Sequence, residues 1–154
     1  MELTPPLLQL ATQALDLVLD FKRPADAELS AFFRDHKKLG PHDRAFVAEA
    51  VFGVLRRYRY LSVVVPAANP RTLVIAWLIK VRGMSGAVLE QFAKPELIDH
   101  IRNAKTEDLP LGIAADLPDW VIGKLQPSMS EADILALGRA LERNGVRFLR
   151  GGGG

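Results

Sequence analysis

Few side chains in this sequence of 154 residues could carry out a reaction. It contains no cysteine, and its three histidines, His36, His42 and His100, occur in neither an HExxH nor a Cys–His arrangement. The two common phosphate-binding loops, GxxxxGK followed by Ser or Thr and a strand followed by GxGxxG, are also missing. We therefore expect no catalytic site, no metal site and no cofactor-binding site on this chain.

Six cations offer a different chemistry, the binding of phosphate, because they lie in or just before the most periodic segment of the chain. They are Lys37, Lys38, Arg44, Arg56, Arg57 and Arg59. Arginine donates two hydrogen bonds to one phosphate, phosphate contacts release condensed counterions, and Tyr58 and Tyr60 could add stacking surfaces for unpaired bases. We predict an RNA-binding site at these six cations. The alternative is that they are solvated charges beside a core helix.

Charge is distributed unevenly along the chain, although the net charge is only +2. No acidic residue occurs between Glu49 and Glu90, an interval that contains six cations, whereas ten acids stand against five bases from Glu90 to Glu142. Local asymmetry of this kind creates a surface potential that the total charge conceals. The basic interval favours a nucleic-acid surface, and the acidic interval favours a surface for a protein partner.

The segment that holds most of these cations, residues 39–61, has the pattern of one long helix. Pro41 suits the first helical position, where its missing N–H costs nothing. Apolar residues recur at helical spacing on one face: Val47, Ala50, Val51, Val54, Tyr58 and Leu61. We predict that this stripe faces the core and that Arg44, Arg56 and Arg59 lie on an adjacent flank of the same helix.

Helical periodicity also dominates the rest of the chain. It predicts helices over residues 7–19, 27–34, 71–81, 88–92, 95–103, 118–125 and 131–143. The centre of 71–81 is apolar on every side, which indicates complete burial. Residues 63–65 are β-branched but have no partner strand, and residues 105–115 have the pattern of a loop. We predict the all-α class, with a bundle of about seven or eight helices.

The length is that of one domain. We expect residues 1–145 to form a helical domain, and residues 146–154, which end in four glycines, to be a flexible tail or the start of a linker to a catalytic domain. The apolar run 73–79 is too short for a membrane span, which needs about 20 residues. Because the first 19 residues lack a signal-peptide pattern, we expect a cytoplasmic protein without membrane contact.

One segment resembles a known family. The run LGPHDRAFVAEAVFGVLRRYRYL, residues 39–61, is similar to the L…DRAFV.E.V.GVLR…L segment in the NusB-like N-terminal domain of Sun/Nop-type ribosomal RNA cytosine 5-methyltransferases. AELSAFFRDHKKL before it resembles the family's second helix, and LPDWVIGKL followed by ILALGRALER resembles the "LP.W" helix and the helix after it. The resemblance covers most of residues 1–145 and is strongest over 39–61 and 117–143.

The resemblance implies a NusB-like helical bundle that helps to bind ribosomal RNA and is joined to a methyl-transferring domain that uses S-adenosylmethionine. Arg44 and Arg56 match recurring arginines, which either bind RNA or brace the bundle, and Gly53 matches a glycine that lets a neighbouring helix approach. The family's "AVNAVLR"-like segment is not found between Arg82 and Leu117. The family's reaction needs a cysteine nucleophile, so the chemistry and its cofactor would belong to the full-length parent and not to this chain.

Three functions remain open at this stage. The first is an RNA-binding module of a ribosomal RNA methyltransferase. The second is a free-standing NusB-like factor for transcription antitermination or RNA processing, which would act with a protein partner. The third is a helical domain that contacts only proteins. RNA affinity at low salt separates the first two from the third, because phosphate contacts are strongest there.

Overall fold

A computed structural model describes residues 3–105 and 109–143, with side chains as far as residue 140. These residues form ten α-helices and no strand, which confirms the predicted all-α class. The helices are α1 (Pro5–Leu19), α2 (Ala25–Asp35), α3 (Pro41–Arg56), α4 (Tyr58–Val64), α5 (Pro70–Lys80), α6 (Gly86–Leu89), α7 (Pro95–Asn103), α8 (Leu111–Ala115), α9 (Asp119–Leu125) and α10 (Glu131–Arg143). The predicted tail, residues 146–154, lies outside the described part of the chain.

The main core is built around α5, which packs against α1, α3, α4 and α7. Residues 73–78 of α5 are all buried, as the apolar run predicted, because neighbouring helices cover every side of it. The helix begins with a capping box, in which the Asn69 side chain accepts from the Thr72 amide and the Thr72 hydroxyl accepts from the Asn69 amide, both at 3.0 Å. No helix in the described residues is long and apolar enough to cross a membrane.

Helices α3 and α5 approach each other closely at Gly53. A Cβ atom added there would lie 2.1 Å from Nε1 of Trp77, so any side chain at this position would displace the buried indole. Phe46 packs edge-on against the same indole, with 6.3 Å between ring centroids. The expected role of Gly53, to let a neighbouring helix approach, therefore has a direct structural basis.

The predicted continuous helix over 39–61 is wrong at one residue, Arg57. The backbone there has φ −114° and ψ 26°, and its amide donates to the carbonyls of both Gly53 and Val54. The chain then starts a new helix, α4, whose Leu61 and Val64 turn onto α5 and are buried. The cause is tertiary packing, since the sequence contains no proline or glycine at the break.

A second, smaller core lies between α8, α9 and α10. It consists of Ala115, Leu117, Ile122 and Ile134. The predicted loop over 105–115 is wrong for residues 111–115, which form α8, because Ala115 belongs to this core. Helix α10 spans 131–143 as predicted, and the Asp133 amide donates to the Ser130 hydroxyl at its start. We refer to α8–α10 as the C-terminal unit.

Candidate nucleic-acid interface

The six predicted RNA-binding residues fall into two groups at opposite ends of α3. Lys37, Lys38 and Arg44 lie at the end where α2 leads into α3, which we call the loop end. Arg56, Arg57 and Arg59 lie around the break between α3 and α4, which we call the junction. Twelve residues separate Arg44 from Arg56, a rise of about 18 Å along a helix, so the structure does not bring the six together.

The loop end presents its cations to solvent. Lys37 and Lys38 are exposed in the turn that follows α2, and Arg44 is exposed in the first turns of α3. Arg44 Nε donates to the Leu39 carbonyl at 3.1 Å, and its guanidinium lies 5.8 Å from the centre of the Phe33 ring. Within residues 3–105 and 109–140 none of these three cations forms an ion pair with a carboxylate.

A hollow of about 540 Å³ lies beside these cations. Its lining residues come from α1, from the end of α2 and from the turn after it: Leu10, Arg34, Asp35, His36, Lys37, Lys38 and Leu39. Arg34 and His36 were not predicted as site residues, although their position beside the two lysines was a usable signal. Leu10 had no such signal, because only the packing of α1 brings it to this turn.

At the junction, Arg57 forms an ion pair within the protein. Its Nε donates to a carboxylate oxygen of Asp116, and the side chains of Arg57 and Asp116 are 20% and 6% exposed. Its guanidinium also lies 4.5 Å from the centre of the Tyr60 ring. Asp116 is the residue that ends α8, in the left-handed conformation with φ 54°, which aspartate tolerates better than most residues. The ion pair therefore joins the break between α3 and α4 to the C-terminal unit.

Arg59 makes a second connection to the same unit. One guanidinium nitrogen donates to the Leu117 carbonyl at 3.0 Å, and another donates to Asp119 at 3.2 Å. A Cβ atom at Gly112 would lie 2.6 Å from the Asp119 carboxylate and 3.1 Å from the Arg59 guanidinium. The absence of a side chain at Gly112 therefore leaves the space that this ion pair occupies.

Arg56 differs from both of its neighbours in the junction. It is half-buried, and its Nε is buried with no hydrogen-bond acceptor among the described residues. The predicted shared flank of Arg44, Arg56 and Arg59 is wrong for Arg59, because the break at Arg57 places that residue on α4. Leu55, the residue before Arg56, is buried in the main core.

Tyr60, which the sequence suggested as a stacking surface for a base, is half-buried beneath Arg57. Burial raises the pKa of its phenol above the ordinary value, an effect that Asp116 reinforces and that the positive charge of Arg57 opposes. A ring that is covered in this way offers little surface for stacking on a base. Trp120 on α9 is the contrasting case, since its side chain is 54% exposed.

The acid-free interval between Glu49 and Glu90 is not an uninterrupted cationic surface. Arg57 and Arg59 bind acids of the acidic 90–142 interval, and Arg82 binds Glu49 at 2.6 Å. Arg71 and Lys80 donate to the carbonyls of Phe92 and Arg102. The charge asymmetry along the sequence thus serves, in large part, to hold distant segments of this chain together.

Comparison with known proteins yields no relative: no family model, no curated protein and no solved structure matches this chain. In the described residues, no three histidine, aspartate or glutamate side chains lie close enough together to hold a metal ion. The candidate site therefore rests on the geometry of the loop end, where the cations are exposed and a hollow lies beside them.

Proposed function

We propose that this chain is an RNA-binding helical domain whose principal contact surface is the loop end. The observation that carries the proposal is the exposure of Lys37, Lys38 and Arg44, which have no carboxylate partner in the described part of the chain. An exposed cation without an internal partner can bind a phosphate at no cost in broken ion pairs. Each such contact adds a favourable, salt-dependent release of counterions.

The charge of the segment supports the same assignment. Between residues 34 and 44 four cations stand against two carboxylates, those of Asp35 and Asp43. Arg44 is also partly ordered by its hydrogen bond to the Leu39 carbonyl, which reduces the entropy lost when the side chain binds a phosphate. For Arg56, Arg57 and Arg59, RNA contact stays a prediction, and for the last two it requires sharing or releasing the ion pairs of the junction.

We further propose, from the resemblance of residues 39–61 and 117–143, that the domain is the NusB-like N-terminal part of a ribosomal RNA cytosine 5-methyltransferase. The helical class and the close contact of Gly53 with Trp77 support this proposal without deciding it. The chain itself contains no cysteine that could attack the base. The chemistry and the S-adenosylmethionine would therefore belong to another part of the proposed parent, and RNA positioning would be the contribution of this domain.

The test is a charge-reversal variant, Lys37→Glu/Lys38→Glu, measured by fluorescence anisotropy with a ribosomal RNA fragment at about 50 mM salt. We expect affinity to fall about 10- to 100-fold, because two phosphate contacts are lost and two repulsions are added. The slope of log affinity against log salt should also become shallower by about one to two.

The matched control is Lys22→Glu/Lys94→Glu, which changes the net charge by the same amount at two exposed lysines elsewhere on the surface. This control should retain most of the affinity. Equal losses in the two variants would mean that total charge, and not the loop end, governs binding. Absence of RNA affinity in the unaltered chain at low salt would overturn the proposal and favour a domain that contacts only proteins.

A further inference from the structure

The hollow at the loop end has apolar walls, which phosphate binding does not explain. Leu10 of α1 and Leu39 before α3 line it, together with the stems of the surrounding charged residues. Phosphate oxygens need donors and gain nothing from leucine. A volume of about 540 Å³ between apolar walls is instead suited to a flat, partly apolar group.

His36 gives this hollow an aromatic wall. Its ring is stacked on Phe32, with 4.1 Å between centroids and 24° between planes, and Phe32 is itself buried. The Nδ1–H of His36 donates to the Phe32 carbonyl at 2.8 Å. In the neutral ring, Nε2 is then the nitrogen that can accept a hydrogen bond. His36 lines the hollow and is only half-buried, so its side chain contributes to the wall while Phe32 holds it in place.

We propose that this hollow receives an unpaired base of single-stranded RNA, stacked against His36, with the flanking phosphates on Lys37, Lys38 and Arg34. The inference rests on the proposed function and deepens it, because it names the form of RNA that is bound. Unpaired bases can be splayed out and stacked on aromatic side chains, whereas the bases of a duplex are enclosed by pairing and stacking. The hydrogen bond and the ring stack fix His36 in advance, so little ordering is needed on binding.

The arrangement of charge fits a nucleotide better than an anion alone. Arg34, Lys37 and Lys38 line the hollow as exposed cations. Asp35 lines it as well, and its carboxylate repels phosphate but can accept hydrogen bonds from the amino group of a base. The phosphates are therefore expected on the side of the lysines and the base towards the apolar walls.

The experiment compares three probes with the unaltered chain, at one salt concentration and by fluorescence anisotropy. The probes are a single-stranded RNA 12-mer, the same sequence as a duplex, and a 12-mer in which stable abasic spacers replace the bases. The abasic strand keeps every phosphate and removes every stacking surface. We expect the single strand to bind about 5- to 150-fold more tightly than the other two, the range that stacking of one base allows.

Variants of His36 and of the two lysines test whether the preference for the single strand arises at this hollow. His36→Ala should remove this preference, because the affinity for the single strand falls to that of the other two probes, while the duplex and the abasic strand are unchanged. His36→Phe, which keeps a ring on Phe32, should restore most of the lost affinity. Lys37→Gln/Lys38→Gln should weaken all three probes together, because it removes phosphate contacts alone. The thermal midpoint of each variant verifies that the fold is intact.

The outcomes separate this inference from the proposed function. Equal affinity for the three probes, with all of them weakened in the lysine variant, would leave RNA binding at the loop end in place and overturn the stacking site. A preference for the single strand that persists in His36→Ala would also overturn it, since the base would then be bound elsewhere. Failure of all three probes to bind at low salt would overturn both proposals.

Discussion

The loop end and the junction contain the same kinds of residue in opposite situations. At the loop end, Lys37, Lys38 and Arg44 are exposed and have no described carboxylate partner, so their charge is available to a ligand. At the junction, Arg57 and Arg59 bind Asp116 and Asp119, and their charge is largely neutralised within the chain. Sequence position on one periodic segment therefore does not indicate a shared role.

The difference follows from what each end of α3 meets. At the loop end, Lys37 and Lys38 lie in the turn after α2 and are exposed, and no carboxylate among the described residues pairs with them. The junction meets the end of α8, where the capping residue Asp116 presents a nearly buried carboxylate. A buried carboxylate is costly without a cation, so the arginine beside it serves stability before it can serve binding.

The largest expected effect is at the junction. Arg57→Ala removes the cation that faces Asp116, whose side chain is 6% exposed, and should lower the free energy of unfolding by about 3 kcal/mol. Urea denaturation measures the loss. The matched control is Arg82→Ala, which breaks the more exposed pair with Glu49 and should cost about 0.5 kcal/mol or less.

RNA affinity of the same variant tests the division of roles. Under conditions where Arg57→Ala is folded, its affinity for RNA should remain within about twofold of that of the unaltered chain, since the loop end is unchanged. A loss of affinity that matches or exceeds that of Lys37→Glu/Lys38→Glu would reverse the assignment and place the RNA contact at the junction.

A smaller effect is expected at Arg59. Arg59→Gln removes an ion pair with Asp119, whose side chain is 82% exposed, and also the hydrogen bond to the Leu117 carbonyl, because glutamine is too short to reach it. We expect a loss of about 1 kcal/mol in urea denaturation, and a smaller loss at high salt, because salt screens an exposed pair. A cost equal to that of Arg57→Ala would show that the two arginines act as one connection and not as a strong and a weak one.

The smallest effect concerns pH. Burial raises the pKa of Tyr60, so above about pH 10 the unfolded chain releases this proton more readily than the folded chain does. The free energy of unfolding should therefore be unaffected near neutral pH and fall as the pH rises through 10 towards the folded-state value. Denaturation of Tyr60→Phe across the same range should show a shallower fall; an identical fall would mean that Tyr60 does not titrate differently in the two states.

Most of the helices could be predicted from the sequence, because the local spacing of apolar and capping residues determines them. Thr4 accepts from the Leu7 amide at the start of α1, and the wholly apolar centre of α5 is buried as its pattern indicated. The break at Arg57 could not be predicted, since no proline or glycine marks it and it depends on the packing of Leu61 and Val64 on α5. Helix α8 was missed for a related reason: five residues carry too little periodicity, and contacts with α4, α9 and above all α10 stabilise them.

The candidate site was predictable in its charges and not in its shape. The cations Lys37 and Lys38 lie in a polar turn, where exposure is the rule. The hollow beside them requires Leu10 from α1, and no local pattern links that leucine to the turn. The neutralisation of Arg57 and Arg59 was hidden for the same reason, because charge along a chain does not reveal which charges meet.

The fluorescence of the two tryptophans of this chain can be used to follow its two cores separately. Trp77 is 2% exposed against Gly53 in the main core, and Trp120 is 54% exposed on α9 of the C-terminal unit. An indole in an apolar interior emits at shorter wavelength than one in water, so the two emissions can be distinguished. In Trp120→Phe the remaining fluorescence follows the bundle alone, and any transition of the C-terminal unit that precedes global unfolding would appear in the difference from the unaltered chain.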